Sequence, residues 1–575
     1  MTRISRAAQL GLVLVALLVA VAVSAPTAGG ATPQRHPRPP RTVDVQLLAI
    51  NDFHGALQPP SGTFFGGPAG GAEYLATLIR QLRSTNRNTA VVGAGDLIGA
   101  SPLLSALFHD EPTIEAMNRI GLDASAVGNH EFDEGADELL RMQRGGCHPV
   151  DGCHDGDGFR GARFQYLAAN VVREQGRHHR ERTLLPPFEI QRFHGTKVAF
   201  IGMTLEGTPA IVTPSGIQGL EFRDEADTVN ALVPRLRQRG VQAVVVLLHG
   251  GAPTTGGLDD CPGVSGPIVD IVARLDDEVD AVISGHTHRA YNCQLPNAEG
   301  RTIPVTSASS NGRALTQMDL TIDRRSGEVQ STTAHNLAVR RDVAPAADIT
   351  ELIGEYDALA APLRDRVIGQ ITATIDKVAD DSGENAAGDL IADAQLAATT
   401  PADLGAAEIA FMNPGGVRDP GFVFDDPPGT GGAVTYGEAF SVQPFGNSLV
   451  TMTLTGAQVL ELLKEQWCGG PGPRILLPSA GFTYTWDASD DACAGDGKVV
   501  AGSVEVDGAP LVETQAYRVT VNSFLADGGD SFPVLTQGTD RLGGAVDLDA
   551  LTAYFEAAPG QTLSPPALDR IDVQP

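Results

Sequence analysis

At 575 residues the chain is too long for one hydrophobic core, so two or more domains are expected. With 42% hydrophobic and 19% charged residues it has the composition of a folded globular protein, which argues against a disordered or fibrous chain. Its formal net charge of −29, with no strongly basic run beyond the N-terminal segment, argues against a nucleic-acid polymer as partner, because such partners need clustered Lys and Arg.

An acidic chain also repels phosphorylated small molecules at long range, so a site for one must carry local positive charge. At the N-terminus, Arg3 and Arg6 precede an apolar run over 10–23, followed by small residues over 24–31. This is the order of a secretory signal, and the run is shorter than the roughly 20 residues that span a bilayer. Residues 1–31 are therefore predicted to be a signal peptide and 32–42 a flexible leader rich in Pro and Arg. The product would be secreted or envelope-associated, with no integral membrane span after signal removal; a retained anchor is the alternative. Six cysteines in an exported chain read as three disulfides, and many connectivities are open. Sequential pairing is favoured (Cys147–Cys153, Cys261–Cys293, Cys468–Cys493), because each pair closes a Gly-rich stretch.

From 43 to 339, short apolar runs alternate with polar clusters and helical segments. The runs 45–50, 90–93, 124–127, 198–201, 243–248 and 281–283 read as buried strands. Helices at 71–82 and 225–239 complete an α/β pattern. Ile349, Leu352, Ile353, Tyr356 and Leu359 then fall at helical spacing, with Asp348 as N-cap and Pro345 and Pro362 as brackets. This places a linker helix within 340–365. Over 366–575, helices at 386–398 and 457–467 and a strand through Phe482, Tyr484 and Trp486 predict a smaller α+β domain.

Five of the strand-like runs end in residues that bind metals. Asp52 and His54 follow the first, Asp96 the second, Asn129 and His130 the third, His249 the fifth, and His286 and His288 the sixth. Strands of one sheet bring their ends to a common edge, and Asp, His and Asn supply ligands that suit Zn, Mn or similar ions. Taken alone, Asp-x-His is usually a turn and Asn-His after a strand is more often a helix cap. Five such clusters in one domain are hard to read as unrelated loops. With its two oxygens Asp96 can bridge two cations, leaving the net positive charge that an acidic protein needs to hold phosphate.

In this order the clusters resemble the calcineurin-like metallophosphoesterases, and the stretches 49–55, 93–102, 128–135 and 284–288 resemble the 5′-nucleotidase branch. The resemblance implies a four-layer αββα sandwich over 43–339 and a C-terminal substrate-binding domain over 366–575. It implies two divalent metal ions (Zn, Mn or similar). Asp52, His54, Asp96 and His288 would hold one ion, and Asp96, Asn129, His249 and His286 the other. His130 would stabilise the phosphoryl group, oriented by Asp133 three positions on. The segment 413–418 resembles the family's Gly-rich phosphate and ribose loop, assigning Asn413, Gly416 and Arg418 to the substrate. Phe445 and Phe524 would clamp a base, Asn447 would read its edge, and Asp530 would hold the ribose hydroxyls. The family often carries a second Arg before the segment 383–390; here Asp380, Asp381 and Ser382 stand there, so the grip on phosphate falls to Arg418.

The activity so implied is hydrolysis of small-molecule nucleoside 5′-monophosphates to nucleoside and phosphate by metal-activated water, with the domains moving between binding and chemistry. Alternatives on the same site are UDP-sugars, 2′,3′-cyclic nucleotides, nucleoside di- and triphosphates, or a sulfur ester. A different class is an exported nucleotide-binding protein without activity. Base preference and oligomeric state stay open.

Overall fold

A computed structural model describes residues 41–575 apart from 61, 154–155, 157, 174–181, 213, 427–428, 469–471, 491–492 and 494–496. The predicted signal peptide and nearly all of the leader lie outside the described residues. Among the described residues no helix is long and apolar enough to cross a membrane.

The first half of the chain is built on two six-stranded sheets. One runs in the order Val329–Ala338, Ala314–Asp323, Thr42–Ile50, Thr89–Ala94, Ala124–Ala126, Gln165–Leu167. The other runs Ala290–Pro296, Thr302–Ala308, Ala281–Ser284, Ala243–Leu248, Thr196–Met203, Phe188–Phe193. The central strands are parallel, in registers such as Leu47 with Ala90, Val92 with Ala124, and Val282 with Val246. Their continuous apolar runs follow from burial on both faces. Val45, Leu47 and Ala49 from one sheet meet Val245, Leu247 and Ile283 from the other between the layers. The helices Ala72–Thr85 and Glu111–Ile120 cover the first sheet, and Glu225–Gln238 and Pro267–Arg274 the second. This is the αββα sandwich that the resemblance implied.

The sequence runs marked six strands, and the sheets hold twelve. Several of the others are antiparallel edge strands such as Ala290–Pro296, where buried and exposed residues alternate, so no continuous apolar run announces them. The linker helix spans Ala347–Arg364, and two of its predicted features differ. Asp348 is not the N-cap: Ala346 holds that position, and the Asp348 carboxylate lies 2.7 and 2.8 Å from the Arg80 guanidinium. Pro362 sits inside the last turn, and Leu359 faces outward at 52% exposure while Ala360 is buried.

The second half centres on a five-stranded sheet in the order Leu477–Pro478, Ile409–Met412, Ala516–Asn522, Ser448–Thr455, Thr539–Val546. The helices Ala386–Thr399 and Gly456–Glu465 flank it. Each opens with a side-chain cap, Asn385 accepting from Gly388 N and Thr455 from Gln458 N. Phe482–Asp487 is a strand, with Phe482 and Tyr484 buried. The three disulfides join Cys147 to Cys153, Cys261 to Cys293 and Cys468 to Cys493.

Candidate active site

The parallel strands of both sheets end at a common edge, and the residues just beyond them converge. Five of these residues have left-handed backbones that side chains rarely adopt: Asp52 (φ 48°), His54 (48°), Asp96 (49°), His286 (75°) and His288 (57°). Strain of this kind persists only where surrounding structure enforces it, and it clusters at functional sites. Close approach of the loops does the enforcing. A Cβ on Gly128 would lie 2.2 Å from Asp96 Oδ1, and one on Gly95 would lie 2.6 Å from His249 Nδ1.

The seven side chains form two groups that share Asp96. In the first, His54 Nε2 lies 3.0 Å from His288 Nε2 and 3.8 Å from Asp96 Oδ2, and His288 Nε2 lies 3.6 Å from Asp52 Oδ1. In the second, His249 Nε2 is 2.9 Å from Asp96 Oδ2 and 3.2 Å from Asn129 Oδ1. His286 Nδ1 is 3.1 Å from the same Asn129 oxygen. Asn129 does not cap the short helix that follows it; its carboxamide is turned to the two imidazoles.

Whether this set fits cations is decided by the lone pairs. His54 Nδ1 is 2.9 Å from Gly99 O and His249 Nδ1 is 2.9 Å from Ala94 O, so each Nδ1 carries hydrogen and donates to a backbone carbonyl. That leaves Nε2 of each ring aimed into the site, the outer support that metal-ligating histidines share. Burial, with His249 beside it, lowers His286 to about 3, and burial holds His54 well below the usual imidazole range. The His54 Nε2 lone pair faces His288 Nε2 at 3.0 Å, where a cation can take the place of the hydrogen between them. Despite burial, Asp96 pushes His249 up to about 10, so without a metal a proton takes the cation's place. The residues present fit a divalent cation in each group.

Two residues to which the sequence reading assigned no role hold the ligand loops in place. The buried Glu131 carboxylate accepts backbone N–H groups from Asp96 (2.9 Å), Leu97 (2.8 Å) and Gly128 (2.5 Å), tying two loops together. Asn51 donates through Nδ2 to Asp52 Oδ2 (2.5 Å) and Ser309 O (2.6 Å), and accepts from Ala308 N (2.7 Å). Glu131 stands inside the stretch 128–135, and a carboxylate between Asn129 and Asp133 was its only sequence signal.

His130 Nδ1 lies 2.8 Å from Asp133 Oδ2, and His130 N donates to Asp96 Oδ1 at 2.9 Å. Against burial, Asp133 and Asp96 raise the His130 pKa. Nε2 of the ring faces a cleft that both halves of the chain line. From the second half come Asn413, Gly416, Arg418, Phe445, Asn447, Phe524 and Asp530, all seven residues assigned to the substrate. Arg418 Nη2 is 3.4 Å from His130 Nε2, and the Phe445 ring is stacked with His130 at 5.9 Å between centroids. Asn413 Nδ2 donates to Asp530 Oδ2 at 2.7 Å. Asn522, not assigned a role beforehand, donates to Asn413 Oδ1 at 2.9 Å and fixes its orientation. Ser523 Oγ donates to Asn447 Oδ1 at 3.1 Å.

Residues 45–290 match the family model of the calcineurin-like phosphoesterases, and 367–537 match that of the 5′-nucleotidase C-terminal domain. An endonuclease of Bacillus subtilis (strain 168) is 31% identical over 91% of this chain and 40% of its own length. A cell wall protein of Listeria monocytogenes (serovar 1/2a) is 32% identical over 89% of this chain and 66% of its own. The chain thus spans less than two thirds of either relative. The crystal structure of a 5′-nucleotidase precursor from Thermus thermophilus superposes with a TM-score of 0.74 at 27% identity, covering 92% of this chain and 99% of that one.

Proposed function

Since the chain belongs to the 5′-nucleotidase family, a calcineurin-like phosphoesterase domain followed by a 5′-nucleotidase C-terminal domain, we propose that it releases phosphate from nucleoside 5′-monophosphates. The family consists of metal-dependent phosphoester hydrolases. Asp52, His54, Asp96 and His288 would hold one divalent cation, and Asp96, Asn129, His249 and His286 a second. Such cations supply Lewis-acid charge and a water made nucleophilic near neutral pH.

The chain's own residues do the rest. Arg418 offers a guanidinium fork to the phosphoryl oxygens, and the His130 imidazole, oriented by Asp133, faces the same point from the other half. Phe445 and Phe524 line the cleft for stacking on a base, while Asp530, held by Asn413, is placed for ribose hydroxyls. The observation that carries this reading is the approach of Arg418 to His130, because it puts anion-binding groups of both halves at one point beside Asp96. Three disulfides and the cell wall relative support a place outside the cytoplasm.

The test is phosphate release from AMP, UMP, ATP, a UDP-sugar, a 2′,3′-cyclic nucleotide and single-stranded DNA at fixed Mn²⁺. Monophosphates are expected among the best substrates. Turnover confined to any of the other esters would replace the reading, and nucleotide binding without turnover of any would favour a binding protein.

A further inference from the structure

Asp110 stands at the N-cap of the helix Glu111–Ile120, yet its side chain caps nothing there. A carboxylate at that position ordinarily accepts a backbone N–H from the first turn of its helix. Its backbone is also left-handed (φ 60°), a conformation that residues other than glycine rarely adopt. Asp110 is buried, and its carboxylate is turned back onto the loop that follows the strand Thr89–Ala94. Oδ2 accepts from Gly99 N at 3.0 Å, and Oδ1 accepts from Ser105 Oγ at 2.6 Å. Ser105 Oγ is in turn 2.7 Å from Thr113 Oγ1, and both residues are buried.

Gly99 is a junction between two parts of the site. Its carbonyl oxygen lies 2.9 Å from His54 Nδ1, the contact that leaves Nε2 of that ring for a cation. Its Cα packs on the His130–Asp133 pair, because a Cβ there would lie 2.4 Å from His130 O and 2.9 Å from Asp133 Oδ2. Two buried carboxylates therefore hold the loop from Asp96 to Gly99. Glu131 takes the N–H groups of Asp96 and Leu97, and Asp110 takes that of Gly99.

We propose that Asp110 is a positioning residue for the cation held by Asp52, His54, Asp96 and His288, acting through Gly99 on the His54 ring; this rests on the two-cation site proposed above. The partner of a ligating histidine fixes its tautomer and ring orientation, and losing such a partner weakens metal binding about 10- to 100-fold. Here that partner is a backbone carbonyl on a loop, and the Asp110 carboxylate restrains the residue that carries it. The relaxed backbone and the helix cap that Asp110 forgoes mark the kind of strain that surrounding structure enforces near functional sites. The second cation does not depend on this restraint. The Nδ1 of His249 is tied to Ala94 O, and Asp96 is held by Glu131. The effect of Asp110 is thus confined to one cation of the two, which separates positioning from general support of the fold.

The experiment is a competition titration of the metal-free whole protein with Zn²⁺ against a chromophoric chelator, which reads the two affinities separately. Asp110→Gly removes the carboxylate and suits the left-handed backbone. It should weaken one cation about 10- to 100-fold and leave the other within about twofold. Asp110→Asn should bind both as the native chain does, because its carboxamide oxygen still accepts from Gly99 N and Ser105 Oγ can accept from its Nδ2. In His54→Ala, adding Asp110→Gly should leave the remaining affinity unchanged. Should Asp110→Gly not fold, Ser105→Ala strips one support from the carboxylate and should still weaken the same cation selectively. Native affinities at both sites, or equal loss at both, would overturn the proposal. A native chain that takes up no Zn²⁺ would overturn the two-cation site itself, and this proposal with it.

Discussion

Arg418 Nη2 lies 3.4 Å from His130 Nε2, across 288 positions of sequence and from opposite halves of the chain. The Phe445 ring backs both groups, 5.2 Å from the guanidinium carbon and 5.9 Å from the imidazole centroid. The guanidinium donates toward the Nε2 lone pair of His130, and burial lowers the Arg418 pKa. On the function proposed here, this is the point at which the substrate's phosphoryl group is held.

Replacing Arg418 with Ala should therefore lower kcat/KM for AMP by about 10- to 100-fold, the scale of one or two charge-assisted hydrogen bonds. Arg418→Lys should recover only part, because an ammonium cannot present the planar fork. Steady-state phosphate release from the three proteins checks this.

His130→Ala should reduce kcat by about 10²- to 10³-fold with little change in KM, as for removal of a group that meets charge mainly in the transition state. Asp133→Asn leaves the imidazole in place but loosens its orientation, so a smaller loss is expected. A rise in KM with unchanged kcat in either variant would assign these residues to ground-state binding instead.

Phe445→Ala should cost about 1–3 kcal/mol in nucleotide binding if the ring stacks on the base. The same variant should treat a phosphate ester lacking a base almost as the native chain does. Comparing KM for AMP with KM for a simple alkyl phosphate separates stacking from a general loss of pocket shape.

The convergence of the seven polar side chains was legible because each lies beside an apolar strand, and strand ends are local features of sequence. Glu131 and Asn51 were not. Their work is to hydrogen-bond backbone groups, at Asp96 and Leu97 and at Ala308 and Ser309, that only the folded chain brings near. Asp348 illustrates the opposite error. A residue type that caps helices in isolation is here drawn to Arg80, 268 positions earlier, and leaves the cap to Ala346. The edge strands were missed because alternation over a few residues is a weaker signal than a continuous apolar run.

Asp389, on the helix Ala386–Thr399, provides a pH test remote from the metal ligands. Its burial, with Glu384 and Asp393 close by, outweighs the attraction of Arg570 and raises its pKa from 3.8 to about 9. The folded state then holds this proton more tightly than the unfolded state. The stabilisation is fully present below the unfolded value and is lost as pH rises from 3.8 through 9. Asp389→Asn removes the titration, so Tm of the native chain should fall relative to the variant across this window. Parallel Tm profiles would contradict the assignment.

Phosphate release from AMP by the whole chain, followed before chelation, after chelation and after Mn²⁺ or Zn²⁺ is restored, tests most directly whether the seven converging side chains work through bound cations. Release should stop on chelation and return with the metal, with AMP still able to bind in between. Undiminished release from a chain shown by elemental analysis to hold no metal would contradict the account.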